Sequence, residues 1–118
     1  MLWCGSIDSS YACFAKQADC TADHPDCVAI TAPRWTCARE LRKYDRSVHL
    51  ELCYPTPEMC RKDDVIEEDE REACMPATSA YCREAEGFVV CHPTLAVCQR
   101  EAKELADRLG TPPACMKR

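Results

Sequence analysis

Twelve cysteines in a chain of 118 residues fall into three sets of four, and no other feature of the sequence constrains the fold as strongly. The sets are Cys4, Cys13, Cys20 and Cys27; Cys37, Cys53, Cys60 and Cys74; and Cys82, Cys91, Cys98 and Cys115. Six residues separate the second from the third cysteine in every set, whereas the other two intervals vary. The stretch Cys91-His92-Pro93-Thr94-Leu95-Ala96-Val97-Cys98 matches Cys53-Tyr54-Pro55-Thr56-Pro57-Glu58-Met59-Cys60. A degraded copy reads Cys13-Phe14-Ala15-Lys16-Gln17-Ala18-Asp19-Cys20. Each set also opens on an aromatic residue, as Trp3-Cys4, Trp35-Thr36-Cys37 and Tyr81-Cys82. Such periodicity marks an internal repeat. It divides one compact domain into units of about 1–32, 33–77 and 78–118.

With two Phe and two Trp, the chain has few bulky residues from which to build an interior. Cross-links compensate for a thin core by restricting the unfolded chain, each contributing roughly 2 to 4 kcal/mol. Disulfides persist where thiols are not kept reduced, so the expected location is extracellular, cell-surface or periplasmic, with no free thiol. Met1-Leu2-Trp3-Cys4 runs directly into polar residues, without the basic start and apolar run of a signal peptide. The chain therefore reads as a mature or excised domain with an added Met. No apolar run is long enough to span a bilayer. A formal net charge of −5 argues against nucleic acid or an anionic membrane as the main partner. Asparagine is absent, which removes N-linked glycosylation, and arginine outnumbers lysine as in GC-rich bacterial genomes.

A seven-residue step places the second and third cysteines near one face of a helix but about 10 Å apart along its axis, too far to bond each other. Insertions are tolerated inside a closed loop whose ends stay neighbours. The variable intervals thus favour first with second, across a hairpin, and third with fourth, clipping a return segment to a helix. The expected bridges are Cys4 with Cys13, Cys37 with Cys53, Cys82 with Cys91, Cys20 with Cys27, Cys60 with Cys74, and Cys98 with Cys115. Twelve cysteines allow on the order of ten thousand pairings, and links between adjacent repeats are the main rival.

Taken in order, repeat one reads as a strand Leu2-Trp3-Cys4, a turn through Gly5 to Ser10, and a strand Tyr11 to Phe14. A short helix over 15–22 follows, stopping near His24-Pro25. Repeat two has strands at 34–39 and 48–54, the second alternating Val48, Leu50 and Leu52 at period two. Thr56-Pro57-Glu58 supplies a cap, a first-turn proline and an acid, predicting a helix to about Ala73 that carries Asp63, Asp64, Glu67, Glu68, Asp69, Glu70 and Glu72. Repeat three turns tightly through Glu84 to Gly87. Thr94 then caps a helix whose stripe is Leu95, Cys98, Ala102, Leu105 and Leu109. Gly110 and Pro112-Pro113 end it. The fold class is α+β: small, disulfide-rich, three tandem repeats of a β-hairpin followed by a helix.

The aromatic residue, the spaced Cys and Cys-[Phe/Tyr/His] pair, and the six-residue step resemble cysteine-rich repeats in uncharacterised secreted proteins of myxobacteria. The resemblance covers most of the chain and implies an exported, disulfide-bonded module with no established activity. Repeat one lacks the Pro-Thr step, which leaves its helix start undefined.

Three Cys4 zinc sites are conceivable, but the paired C-x2-C spacing that presents two thiolates to one ion is missing. No cofactor is implied. His24, His49 and His92 stand beside no nucleophile motif, and His92 takes the place of Phe14 and Tyr54, an aromatic position packed near a bridge. Trp3, Trp35 and Tyr81 read as core packing against neighbouring bridges. The acidic helix reads as a solvated face, or as one half of a head-to-tail homodimer with the basic loop. That loop, 39–46, is the sharpest candidate, carrying Arg42, Lys43, Tyr44 and Arg46 between strands bridged by Cys37 and Cys53. A restrained loop loses less entropy on binding, and Tyr and Arg are enriched at interface hot spots. The leading expectation is a non-enzymatic binding or structural module contacting a protein or cell surface. The alternatives are a protease inhibitor presenting the loop and a small secreted enzyme or toxin.

Overall fold

The computed structural model describes residues 1–7, 10–63, 72–85, 87–109 and 114–118. Its elements are β1 (Leu2–Ile7), β2 (Ser10–Phe14), α1 (Gln17–Asp23), β3 (Val28–Ile30), β4 (Thr36–Leu41), β5 (Val48–Tyr54) and α2 (Pro57–Lys62), then β6 (Met75–Pro76), β7 (Tyr81–Ala85), β8 (Phe88–His92), α3 (Leu95–Leu109) and β9 (Met116–Lys117). Strands predominate. All twelve cysteines are bridged within their own sets, first with second and third with fourth.

The hairpin bridges join residues directly opposite in the ladders: Cys4 and Cys13, Cys37 and Cys53, Cys82 and Cys91. Their Cα atoms lie 4.1, 4.0 and 4.0 Å apart. The other three clip a helix to the segment returning from it. After the fourth cysteine of each set the chain pairs with the strand holding the first, Val28 opposite Cys4, Met75 opposite Cys37, and Met116 opposite Cys82.

The strands join into one sheet, and β8 is its hub. One edge of β8 pairs with β7 throughout, while the other meets β2 at Phe88 and Val89 and β5 at Cys91. Directly paired residues point to the same face, as do residues two apart. Cys13 faces Val89 and Cys53 faces Cys91, so all three hairpin bridges lie on one side of the sheet. The residue after each second cysteine, Phe14, Tyr54 or His92, points the other way and is buried. Phe14 meets His24, beyond the end of α1, with ring centroids 5.4 Å apart. The third cysteines, Cys20, Cys60 and Cys98, are wholly inaccessible to solvent and fix each helix to the core.

Several sequence expectations need correction. Gly5 and Ser6 lie inside β1, opposite Ala12 and Tyr11, so the first hairpin is longer than expected. A Cβ on Gly5 would stand 2.5 Å from the Cβ of His24, so only glycine allows the chain to cross there. Asp26 locks the crossing by accepting from the Ser6 amide at 2.9 Å and from its hydroxyl at 2.5 Å. Helix α1 begins at Gln17, and Lys16 at its N-cap makes no side-chain hydrogen bond. Thr56 and Thr94 do cap, accepting from Met59 and Val97 at 3.2 Å.

The long acidic helix is the largest error. Helix α2 stops at Lys62, Asp63 is extended, and 72–74 are not helical; the acids at 64 and 67–70 lie outside the described residues. A continuous helix would separate Cys60 from Cys74 by about 21 Å, whereas their Cα atoms are 6.2 Å apart. The clip forces a reversal. The aromatic alignment is also off by one. Residues two before the first cysteine, Leu2, Trp35 and Ala80, are all buried, whereas Trp3 and Tyr81, one before, are partly exposed. On α3, Val97 is buried in place of the exposed Leu95, while the side chains at 105 and 109 lie outside the description.

Candidate functional site

Beyond the Cys37–Cys53 bridge, β4 and β5 continue as a two-stranded arm through Ala38 opposite Leu52, Arg39 opposite Glu51, Glu40 opposite Leu50, and Leu41 opposite Val48. The bridge therefore stands five residues, about 17 Å of strand, before Arg42. Ladder contacts transmit its restraint. Along one edge the Glu72 amide donates to the Arg39 carbonyl at 2.9 Å. The Arg39 guanidinium spans Glu51 at 3.1 Å and Glu72 at 3.5 Å. On the other edge His92 Nδ1 donates to the Glu51 carbonyl at 2.8 Å, extending the contact that Cys91 begins with Cys53.

The expected loop 39–46 is thus shorter in fact: Arg39, Glu40 and Leu41 belong to β4, and the tip is 42–47. It is internally braced. The Arg42 amide donates to the Ser47 carbonyl at 2.8 Å and the Arg46 amide to the Arg42 carbonyl at 2.9 Å. Asp45 Oδ1 accepts from the Ser47 amide at 3.0 Å and hydroxyl at 2.7 Å, which holds the carboxyl below its ordinary range. Arg46 adopts φ 58°, a left-handed conformation that closes the turn. Arg42, Lys43, Tyr44 and Arg46 are all exposed, Tyr44 completely. The structure brings three cations and one aromatic ring together at the end of a projecting arm.

The histidines are separated. His49 is exposed on β5, and His24 is buried against Phe14. His92 is wholly buried, with Nε2 accepting from Arg83 Nε at 3.3 Å. Burial, and then the nearby Arg83 charge, lower its pKa, while the bond to Glu51 acts in the opposite direction. The neutral tautomer with hydrogen on Nδ1 satisfies both contacts. Arg83 Nη1 is buried without a hydrogen-bond partner. The bond from His92 to Glu51 is not legible in the sequence, because it needs β5 beside β8, whereas the Arg83 contact lies within the β7–β8 hairpin.

No cysteine is free to ligate zinc, and among the described residues no group of three or more His, Cys, Asp or Glu side chains is placed to hold a metal. No described helix is long and apolar enough to cross a membrane. A second feature, unforeseen in the sequence, is a space of about 260 Å³ where β2, β5 and β8 meet, with Asp63 in its lining. No family model, curated protein or solved structure matches the chain. The six bridges fit an oxidising environment.

Proposed function

We propose that the chain is an exported, non-catalytic binding module of three tandem hairpin–helix units, and that it contacts an acidic protein or cell-surface partner through the tip of the β4–β5 arm. The observation that carries this reading is the braced tip, with Tyr44 fully exposed among Arg42, Lys43 and Arg46. Internal hydrogen bonds set the tip before contact, which lowers the entropy lost on binding. The cations favour encounter with a negative surface, and the tyrosine supplies rigid contact area. The equivalent bridges and return pairings of the three cysteine sets support the reading as repeats.

The experiment compares wild-type protein with a Tyr44→Ala, Arg42→Ala, Lys43→Ala, Arg46→Ala quadruple variant, measuring retention of each on envelope fractions of the source cell over a salt series. Loss of salt-sensitive retention in the variant supports the proposal, and equal retention overturns it. The protease-inhibitor alternative is less favoured by the same geometry. The tip is wound into a turn, whereas a protease aligns extended backbone by strand addition. Stoichiometric inhibition of trypsin, abolished by Arg42→Ala or Lys43→Ala, would restore that alternative.

A further inference from the structure

The space between β2, β5 and β8 exists because β8 passes from one neighbour to another, pairing with β2 at Val89 and with β5 at Cys91. Val90, between those two pairings, lies in the wall of the resulting gap together with Leu2, Tyr11, Leu52, Tyr54 and Asp63. Asp63 is the one charged residue in this otherwise apolar and aromatic lining. Its backbone is held by the C-cap of α2, where its amide donates to the Met59 carbonyl at 3.0 Å, and the residue is 2 % exposed. A helix C-terminus is the end at which the backbone dipole disfavours an acid. Asp63, already engaged within the protein, thus brings an acid to the lining of an open apolar space.

We propose that this space is a binding site for a small organic amine whose apolar body fills the gap and whose ammonium group reaches Asp63. Size and charge both select the class. A cavity of about 150 Å³ accepts benzene, so 260 Å³ accommodates a ring with a short aminoalkyl chain. A carboxylate offers about four acceptor positions, enough to serve protein donors and a ligand ammonium together. A neutral ligand of the same shape gains the apolar contact but not the charge-assisted hydrogen bond, and an anion is repelled. The site is independent of the arm tip.

The test is a methyl NMR titration of the intact, disulfide-bonded protein with phenethylamine, 2-phenylethanol and 3-phenylpropionate, following Leu52, Val89 and Val90. Shifts at these methyls, with the amine bound at least about ten-fold more tightly than the alcohol and the acid weakest, support the site. Asp63→Asn should bring the amine and alcohol together. Should that variant lose its methyl dispersion, the ranking on wild-type protein decides alone. Equal affinities, or no response of these methyls to the amine, overturn the proposal. So does a pocket already closed by a second copy, seen as a dimer whose pocket methyl shifts change on dilution.

Discussion

His92 is joined to Glu51 by a 2.8 Å hydrogen bond from imidazole Nδ1 to the backbone carbonyl, across 41 positions of sequence. It ties the third hairpin to the projecting arm of the second. Its geometry requires the neutral ring, since Nε2 must accept from Arg83.

Stability should therefore fall in mild acid. The His92 pKa is depressed in the folded state, burial being the main cause, so the unfolded chain binds the proton more readily. The contribution is full above the ordinary histidine value of 6.5 and is lost as pH falls from there through the depressed folded value. Thermal melts between about pH 5 and pH 8 should show Tm declining at the acidic end. In His92→Phe that part of the slope should vanish while stability at neutral pH drops by about 1 to 3 kcal/mol, because the Glu51 carbonyl loses its donor. An unchanged slope in the variant would contradict the assignment.

Gly5→Ala should destabilise the first hairpin. The added methyl would meet the His24 Cβ at 2.5 Å, an atom fixed to backbone and unable to swing away. A loss of about 1 to 3 kcal/mol is expected in denaturant titrations, typical of overpacking at a close crossing. Wild-type stability in Gly5→Ala would show that the crossing is looser than this contact requires.

The helix caps should behave unequally. Thr56→Ala and Thr94→Ala each remove an acceptor for a helix N–H and should cost about 1 kcal/mol. Lys16 provides no such bond, so Lys16→Ala should be nearly silent, whereas Lys16→Asp should stabilise α1. Equilibrium unfolding of the four variants checks the order.

At the arm tip, Arg46→Gly should be tolerated or slightly stabilising, because glycine adopts a positive φ at no steric cost. Arg46→Val should be unfavourable, since a β-branched residue is excluded from that region. Chemical denaturation of the two variants should separate them, and identical stabilities would argue against the closed turn.

A non-reducing peptide map should recover the six pairs, and the intact mass should lie twelve hydrogens below that of the fully reduced chain. Any peptide linking two different sets would contradict the architecture.

Much of this was legible along the chain. The bridges followed from which cysteine intervals vary, because a covalent link leaves its loop free to lengthen. The caps at Thr56 and Thr94 follow from residue type at the helix start, whereas the start of α1 after Lys16 does not. The misreadings have definite causes. Trp3 and Trp35 both stand near a first cysteine, but strand side chains alternate, and an offset of one residue reverses the face. The Thr56-Pro57-Glu58 signal marks where a helix begins but not where it ends, and a Cys60–Cys74 bridge is incompatible with an unbroken helix. The exposed cations at 42, 43 and 46 are legible because they lie together in sequence; the brace beneath them, from Ser47 to Arg42 and Asp45, depends on turn geometry.

The sequence by itself determined the local units: covalent loops, hairpins, the capped helix starts at Thr56 and Thr94, and the buried residue after each second cysteine. These depend on interactions within a few turns of chain or across one bridge. Only the tertiary structure decided that β8 serves both β2 and β5, that His92 reaches Glu51, and that Asp63 lines the space left at the junction. Strand edges carry equivalent backbone donors and acceptors, so their sequences do not name the partner. The choice is made by packing the three hairpins together.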